Sequence, residues 1–264
     1  MSALRDHLAR LAAVALLTGT VAFAQPATAE TVVARLSDTR VEIRSNFVGT
    51  ELLLFGLVEP DETTPEGLAD SYDVVVVVRG PALDMVTRRR DRVAGIWVNR
   101  ESVAFEDVPS FYATLSNRPV HEIAPAETLE RHQIGLGDLR LQPAEPDTAE
   151  AQRIAFREAL IRSKKNRHLY MEDGGAVSMM TPALFSTRIP LPAHITTGSY
   201  SARILVFSDG TLVATERESF WVAKSGFEAR VFNLAERRPF LYGLGAVAVA
   251  LFAGWFAGVI FRRD

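Results

Sequence analysis

Two groups of side chains in this chain have the type and spacing to do physical work on a partner. Arg88, Arg89, Arg90 and Arg92 form a dense basic run broken only by Asp91. Guanidinium forks bind carboxylate, phosphate and sulfate geometrically. The run therefore suits contact with acidic headgroups or with a small anion such as sulfite or sulfate. The plainer reading is a solvated hairpin tip between two strands. The second group is Ala246, Ala250, Gly254 and Gly258, small residues recurring every four positions. On a helix they share one face, and Gly254-x-x-x-Gly258 lets a second backbone approach closely. This predicts helix–helix packing, either self-association or docking against another membrane protein.

Catalytic signals are weak by comparison. His121, Glu122, Glu127, Glu130 and His132 are near in sequence, but no HExxH or comparable metal spacing joins them. Ser178, Ser199 and Ser201 lack a GxSxG elbow. Glu216 and Glu218 alternate onto one face of an expected strand, which is read as solvent-facing. Trp97 and Trp221 are expected in the core, and Trp255 against lipid or a partner. Neither a phosphate loop nor a dinucleotide fingerprint occurs. With no cysteine, thiol chemistry, disulfides and iron–sulfur clusters are excluded. No cofactor, metal or catalytic residue is expected.

The segments carrying these groups are set by hydropathy. Phe240–Phe261 (FLYGLGAVAVALFAGWFAGVIF) has no charge, and about 20 such residues cross a bilayer core of roughly 30 Å. Arg237, Arg238 and Arg262, Arg263 flank it, so loop charge alone does not orient it. At the other end, Arg5 and Arg10 precede Leu11–Ala24, an apolar stretch too short to span. It reads as a signal peptide cleaved after Ala29, with Ala24 as the alternative site and a retained N-terminal anchor as the rival reading. The expected layout is 1–29 signal peptide, 30–117 first β lobe, 118–175 helical insertion, 176–235 second β lobe, 239–261 transmembrane helix and 262–264 cytoplasmic tail. The body then lies in the periplasm, held in the inner membrane by one helix. The chain carries a net charge of −3, which becomes about −5 once both ends are removed, so nucleic acid is an unsuitable partner.

The body reads as mainly β, with immunoglobulin-like β-sandwich lobes. Short strands are expected at Thr31–Leu36, Arg40–Arg44, Leu83–Thr87, Gly95–Val98, Ser102–Phe105 and Phe111–Leu115. Glu51–Val58 and Tyr72–Arg79 are apolar runs suited to strands buried on both faces, joined by a loop rich in acids. Pro125 opens a short helix. Asp147 paired with Glu150 resembles a capping box for a longer helix from Thr148 to about His168. That helix has a broad apolar face (Ala151, Ile154, Ala155, Phe156, Ala159, Leu160, Ile161). Lys164, Lys165 and Arg167 crowd its C-terminal end, where the helix dipole favours cations. Glu172-Asp173-Gly174-Gly175 breaks the pattern. Strands resume at Ser186–Leu191, Ser199–Phe207, Thr211–Val222 and Ala229–Phe232, with Asp209-Gly210 as a hairpin turn.

Four segments together carry a resemblance: ELLLFG at Glu51–Gly56, AFREAL at Ala155–Leu160, LFSTRIPLP at Leu184–Pro192, and GFEARVFNLA running into LYGLGAVAVALFAGWFAGVIFRR. The chain resembles the alpha-proteobacterial putative transmembrane protein family over nearly its whole mature length. The resemblance implies a signal, a periplasmic domain, one C-terminal helix and an association with sulfite-exporter-like permeases. It carries over no catalytic residues. The function class expected is a non-enzymatic accessory or scaffold subunit, with the lipid bilayer and another inner-membrane protein, or a second copy, as partners. A periplasmic small-anion-binding module and a hydrolase with a convergent site are the alternatives.

Overall fold

The computed structural model describes residues 30–43, 48–59, 72–93, 95–225 and 235–260. The expected signal peptide, the acidic loop after Glu59, the strand expected at Ala229–Phe232 and the tail from Phe261 lie outside the described residues. The described residues are about 50% strand and 26% helix, with several sheets and one C-terminal apolar helix.

Thirteen strands follow in order: β1 Thr31–Leu36, β2 Arg40–Ile43, β3 Gly49–Glu59, β4 Tyr72–Arg79, β5 Ala82–Val93, β6 Ile96–Pro109, β7 Tyr112–Ser116, β8 Gln142–Pro143, β9 Tyr170–Asp173, β10 Val177–Met179, β11 Leu184–Pro192, β12 Gly198–Ser208 and β13 Thr211–Lys224. Among the described residues the helices of four residues or more are α1 Val120–Ile123, α2 Ala126–His132, α3 Glu150–Asn166 and α4 Pro239–Ile260. One sheet has the order β1-β3-β11-β10, and a second the order β2-β13-β12-β4-β7-β9. A third, β5-β6-β8, stands apart from both. Strands from 30–117 and from 176–235 are therefore joined within the same sheets, and β9 of the intervening segment adds to the second. β3 pairs with β11 from Gly49↔Pro192 to Leu57↔Leu184, and β4 pairs with β12 from Tyr72↔Ser208 to Arg79↔Ser201. Sequence leaves open whether the two β lobes form one sandwich or two; they share their sheets and one buried core cluster. Neither segment could cover its own apolar face alone, because each supplies only some of the strands in either sheet.

The layers explain the burial. Val74, Val76 and Val78 point from β4 toward the first sheet, while Val75 and Val77 point the other way. All five are buried. The second sheet is thus covered twice, on one face by the first sheet and on the other by the segment containing α1 to α3. That matches the uninterrupted valine run. β3 departs from the expectation. Leu52, Leu54 and Val58 are buried, but Leu53, Phe55 and Leu57 alternate onto the outer face and stay partly exposed. The first sheet is covered on one side only, so its apolar run is one-sided. Glu216 and Glu218 share their face of β13 with buried Ala214, Phe220 and Val222, contrary to the solvent-facing expectation. Glu218 accepts an ion pair from Arg35 of β1 at 2.5 Å, which bridges the margins of the two sheets.

Local chemistry fixes the turns. Asp209 at φ 48° and Gly210 at φ 80° give the left-handed pair that a two-residue hairpin between β12 and β13 requires. The expected capping pair at Asp147 and Glu150 is not formed. Helix α3 begins at Glu150 with Ala149 at its cap and no side-chain cap bond, while Thr148 Oγ1 donates to the Glu145 carbonyl at 2.7 Å. The apolar stripe of α3 is also narrower than expected. Phe156, Leu160 and Lys164 are buried, whereas Ile154 is exposed. Past the helix, Tyr170–Asp173 is a strand, parallel to β7 from Tyr112↔Tyr170 to Leu115↔Asp173.

Candidate functional site

Helix α4 is the first candidate. An 18-residue window of this 22-residue helix has a mean hydropathy of 2.0, and none of its residues is buried against the rest of the described chain. On one side Phe252 lies 6.0 Å from Trp255 and stacks with Phe256 at 6.1 Å, one helical turn apart. Ala246, Ala250, Gly254 and Gly258 line another side. A Cβ added at Gly254 or Gly258 would meet nothing within 4 Å. Among the described residues the helix has no packing partner, so its small-residue face is open.

The second candidate is the basic run, and its place differs from the expectation of a hairpin tip. Arg88, Arg89, Arg90 and Arg92 lie inside β5, which forms one long antiparallel hairpin with β6. The strands expected at Leu83–Thr87, Gly95–Val98 and Ser102–Phe105 are parts of these two. Arg88 faces Ser102, Arg89 faces Glu101, Arg90 faces Asn99 and Arg92 faces Trp97. The register shifts between Arg89 and Arg90, which leaves Arg100 as the extra residue of a bulge. Arg89 is neutralised by Glu101 at 2.7 Å and Asp91 at 3.8 Å. The end of the hairpin is apolar. Ile96 is 65% exposed and Trp97 68% exposed, and Val93 is exposed beside them. Trp97 and Trp221 are both largely exposed, which corrects their expected place in the core. Each occupies a position that alternates away from the buried face of its strand.

A third polar network was not foreseen. The chain after α2 crosses the outer face of the second sheet, and three arginines and a tyrosine hold its carbonyls. Arg203 donates to the His132 carbonyl, and Arg79 to the Gln133 side chain at 3.2 Å. The Tyr112 hydroxyl donates to the Gln133 carbonyl at 2.7 Å. Arg157 donates to the carbonyls of Leu136, Gly137 and Leu139 at 3.1, 2.6 and 3.0 Å. Leu136 N–H donates to Glu172 at 3.1 Å. Burial, and then the neighbouring Arg79, pull Arg203 below its usual pKa. These cations are committed to oxygens of that segment, so the network is a clamp on a connection. Its sequence signal is Arg203 sharing a strand face with Leu205 and Phe207, a charge placed among residues that must be covered.

Lys164 is buried in the same region. Its ammonium donates to the Ser110 carbonyl at 3.3 Å and lies 5.7 Å from the centre of the Tyr170 ring. Burial first, then Arg167, lowers its pKa. From sequence it belongs with the cations that crowd the helix end, where the dipole favours them. Its spacing from Phe156 and Leu160, i+8 and i+4, was the available signal.

The histidines do not converge. His121 is exposed beside Glu122 at 3.9 Å. Burial, then Arg203 and Arg131, lower the pKa of His132, so cations and not carboxylates surround it. Among the described residues no group of three His, Cys, Asp or Glu could hold a metal ion. A groove of about 780 Å³ gathers Ser178, Glu51, Glu172, Asp173 and Arg188 between the first sheet and β9, and no histidine lines it. Three others, of about 490 to 520 Å³, lie around α3 and its approach. None of the four is lined by Arg88, Arg89, Arg90 or Arg92.

The tyrosines of the domain supply a test of this packing. Tyr72, Tyr112, Tyr170 and Tyr200 are all buried. Burial raises the phenols of Tyr112 and Tyr170, lifts Tyr200 to about 12, and with Glu30 lifts Tyr72 to about 12. A raised phenol pKa stabilises the fold fully below the unfolded value near 10. That contribution is lost as pH rises through the folded values. Phenolate absorbance is therefore expected to appear together with unfolding, around pH 12. Two or more of these phenols titrating near 10 in the folded chain would contradict the packing.

Among the described residues one helix is long and apolar enough to cross a membrane, and joined to a β domain it fits the class of single-pass membrane proteins. Comparison with protein families agrees. The family described as "Putative transmembrane protein" matches residues 31–263, and the chain belongs to it. The family's name points to alpha-proteobacteria. No curated protein matches the chain.

Proposed function

We propose that this protein is a non-enzymatic accessory or scaffold subunit of an envelope complex. Helix α4 holds it in the inner membrane and the β domain projects into the periplasm. The observation that carries this reading is the small-residue face of α4. Ala246, Ala250, Gly254 and Gly258 are aligned and open, with bulky Phe252, Trp255 and Phe256 elsewhere on the helix. In lipid, close backbone packing drives association without help from a hydrophobic effect between helices. A partner helix from a permease of the sulfite-exporter kind, or from a second copy, fits that face. The anion-binding alternative has less support, because the Arg88–Arg92 side chains line no groove described above.

The test is crosslinking of the full chain in native membranes, then mild solubilisation and identification of what co-purifies. Wild type is compared with Gly254→Leu/Gly258→Leu. Leucine side chains would hold the two backbones apart. A roughly tenfold loss of the crosslinked product, equivalent to about 1.4 kcal/mol, is expected in the variant. Equal recovery from both proteins would remove the helix face as the docking element.

A further inference from the structure

The β5–β6 hairpin has the composition of a membrane-surface contact. The buried residues of the hairpin, Val103, Phe105, Val108 and Pro109, all lie at its base, and every described residue from Thr87 to Ser102 is half-buried or exposed, so the hairpin leaves the body as an arm. Its end combines Val93, Ile96 and Trp97, all exposed. Behind them Arg88, Arg90 and Arg92 alternate onto the Trp97 face of β5, and the bulge adds Arg100. Arg92 reaches only the Gly95 carbonyl, at 3.4 Å. Among the described residues Arg88, Arg90, Arg92 and Arg100 have no acidic partner, whereas Arg89 has two. Guanidinium groups left unpaired behind an exposed tryptophan and isoleucine complement a surface that is apolar below and anionic above. Tryptophan favours the headgroup level, and basic residues are drawn to anionic leaflets.

The root of the arm lies at the end of the β domain from which the chain continues to α4. β4 ends at Arg79, opposite Ser201 of β12, and Val222 of β13 lies opposite Gly198 of the same strand. Pro81, at the start of the arm, packs on Gly198 so closely that an added Cβ would come within 2.9 Å of its ring. The arm therefore leaves from the end of the second sheet at which β13 runs out toward α4. Residues 226–238 connect that end to the helix, a span of at most about 50 Å. We infer that the β5–β6 arm rests on the anionic leaflet of the bilayer that α4 enters, with Ile96 and Trp97 in the interface and Arg88, Arg90, Arg92 and Arg100 on headgroup phosphates. This rests on the reading that α4 spans the membrane.

The chain lacks cysteine, so one introduced thiol gives one label. The full-length Ile96→Cys protein, carrying an environment-sensitive fluorophore, is reconstituted into phosphatidylcholine vesicles with or without phosphatidylglycerol. Asp209→Cys, at the turn between β12 and β13, and Leu251→Cys, within α4, are labelled as controls. The position-96 label is expected to shift blue and to be quenched by brominated lipid in the anionic vesicles, with the effect fading as salt is added. Each arginine near an anionic surface contributes a factor of about five, so Arg88→Glu/Arg90→Glu/Arg92→Glu should remove the quenching. Quenching at position 251 without any at position 96 overturns the arm contact and leaves the anchor standing. No quenching at position 251 removes the anchor itself. A blue shift at position 96 that is indifferent to lipid charge, to salt and to brominated lipid means that protein covers the arm, and this also overturns the inference.

Discussion

Gly56→Val is expected to remove about 3 kcal/mol or more of folding stability, a large share of the 5–15 kcal/mol typical of a domain. Gly56 lies on the inward face of β3, opposite Phe185 of β11. The phenyl ring is folded over the glycine. A Cβ built there would lie 2.1 Å from Cζ of Phe185 and 2.6 Å from Cε1. Phe185 is fully buried, so the ring has no solvent to swing into. Either the ring leaves its rotamer or β3 and β11 separate, and both disturb the pairing that joins the two halves of the chain. The measurement is urea unfolding of the detergent-solubilised full chain, with the loss read as a lower midpoint at unchanged slope. Gly56→Val/Phe185→Leu should recover part of it, because leucine retracts the atoms that clash. A loss below about 1 kcal/mol for the single variant would mean that the core around Phe185 yields easily, unlike a close-packed interior.

The elements that could be read from the sequence are those whose signal is local. Helix α4 announces itself by length and lack of charge, the valines of β4 by β-branching, and the β12–β13 turn by Asp-Gly. What could not be read depends on who covers whom. Glu51–Val58 looks buried on both faces, yet only the partner layers decide that, and β3 has a layer on one side. Arg88–Arg92 looks like a turn because like charges in succession disfavour a strand. The chain accommodates them with a bulge, with Glu101 opposite Arg89, and with an arm that carries the remaining guanidiniums away from the body. Lys164 looks solvated because lysine usually is, until Tyr170 and the Ser110 carbonyl are brought over it by a parallel strand too short to recognise. The helix stripe was legible as a candidate because it requires no tertiary knowledge, while the end of the arm, with Ile96 and Trp97 outside the core, emerged only from the pairing of β5 with β6.

Arg118→Ala should cost about 3 kcal/mol, more than Asp73→Ala, although Arg118 is the more exposed member of the pair. Asp73 is the second residue of β4 and is almost wholly buried. It accepts from Arg118 Nε at 2.6 Å, from a second Arg118 nitrogen, and from Asn117 Nδ2 at 2.9 Å. Asn117 in turn accepts from Val74 N–H at 2.9 Å. This knot ties the exit of β7 to the start of β4, at the point where the chain leaves the sheet for α1. The Arg118 side chain remains 43% exposed. Removing the carboxylate frees a guanidinium that can turn toward water, so the loss is limited to the hydrogen bonds, about 2 kcal/mol. Removing the guanidinium strands a carboxylate in a site with little access to water and only Asn117 to solvate it, which is the costlier error. The order of the two midpoints in urea is therefore diagnostic. If Asp73→Ala is the more damaging, the site is solvated enough to hold a lone carboxylate, and the pair acts chiefly through hydrogen-bond geometry.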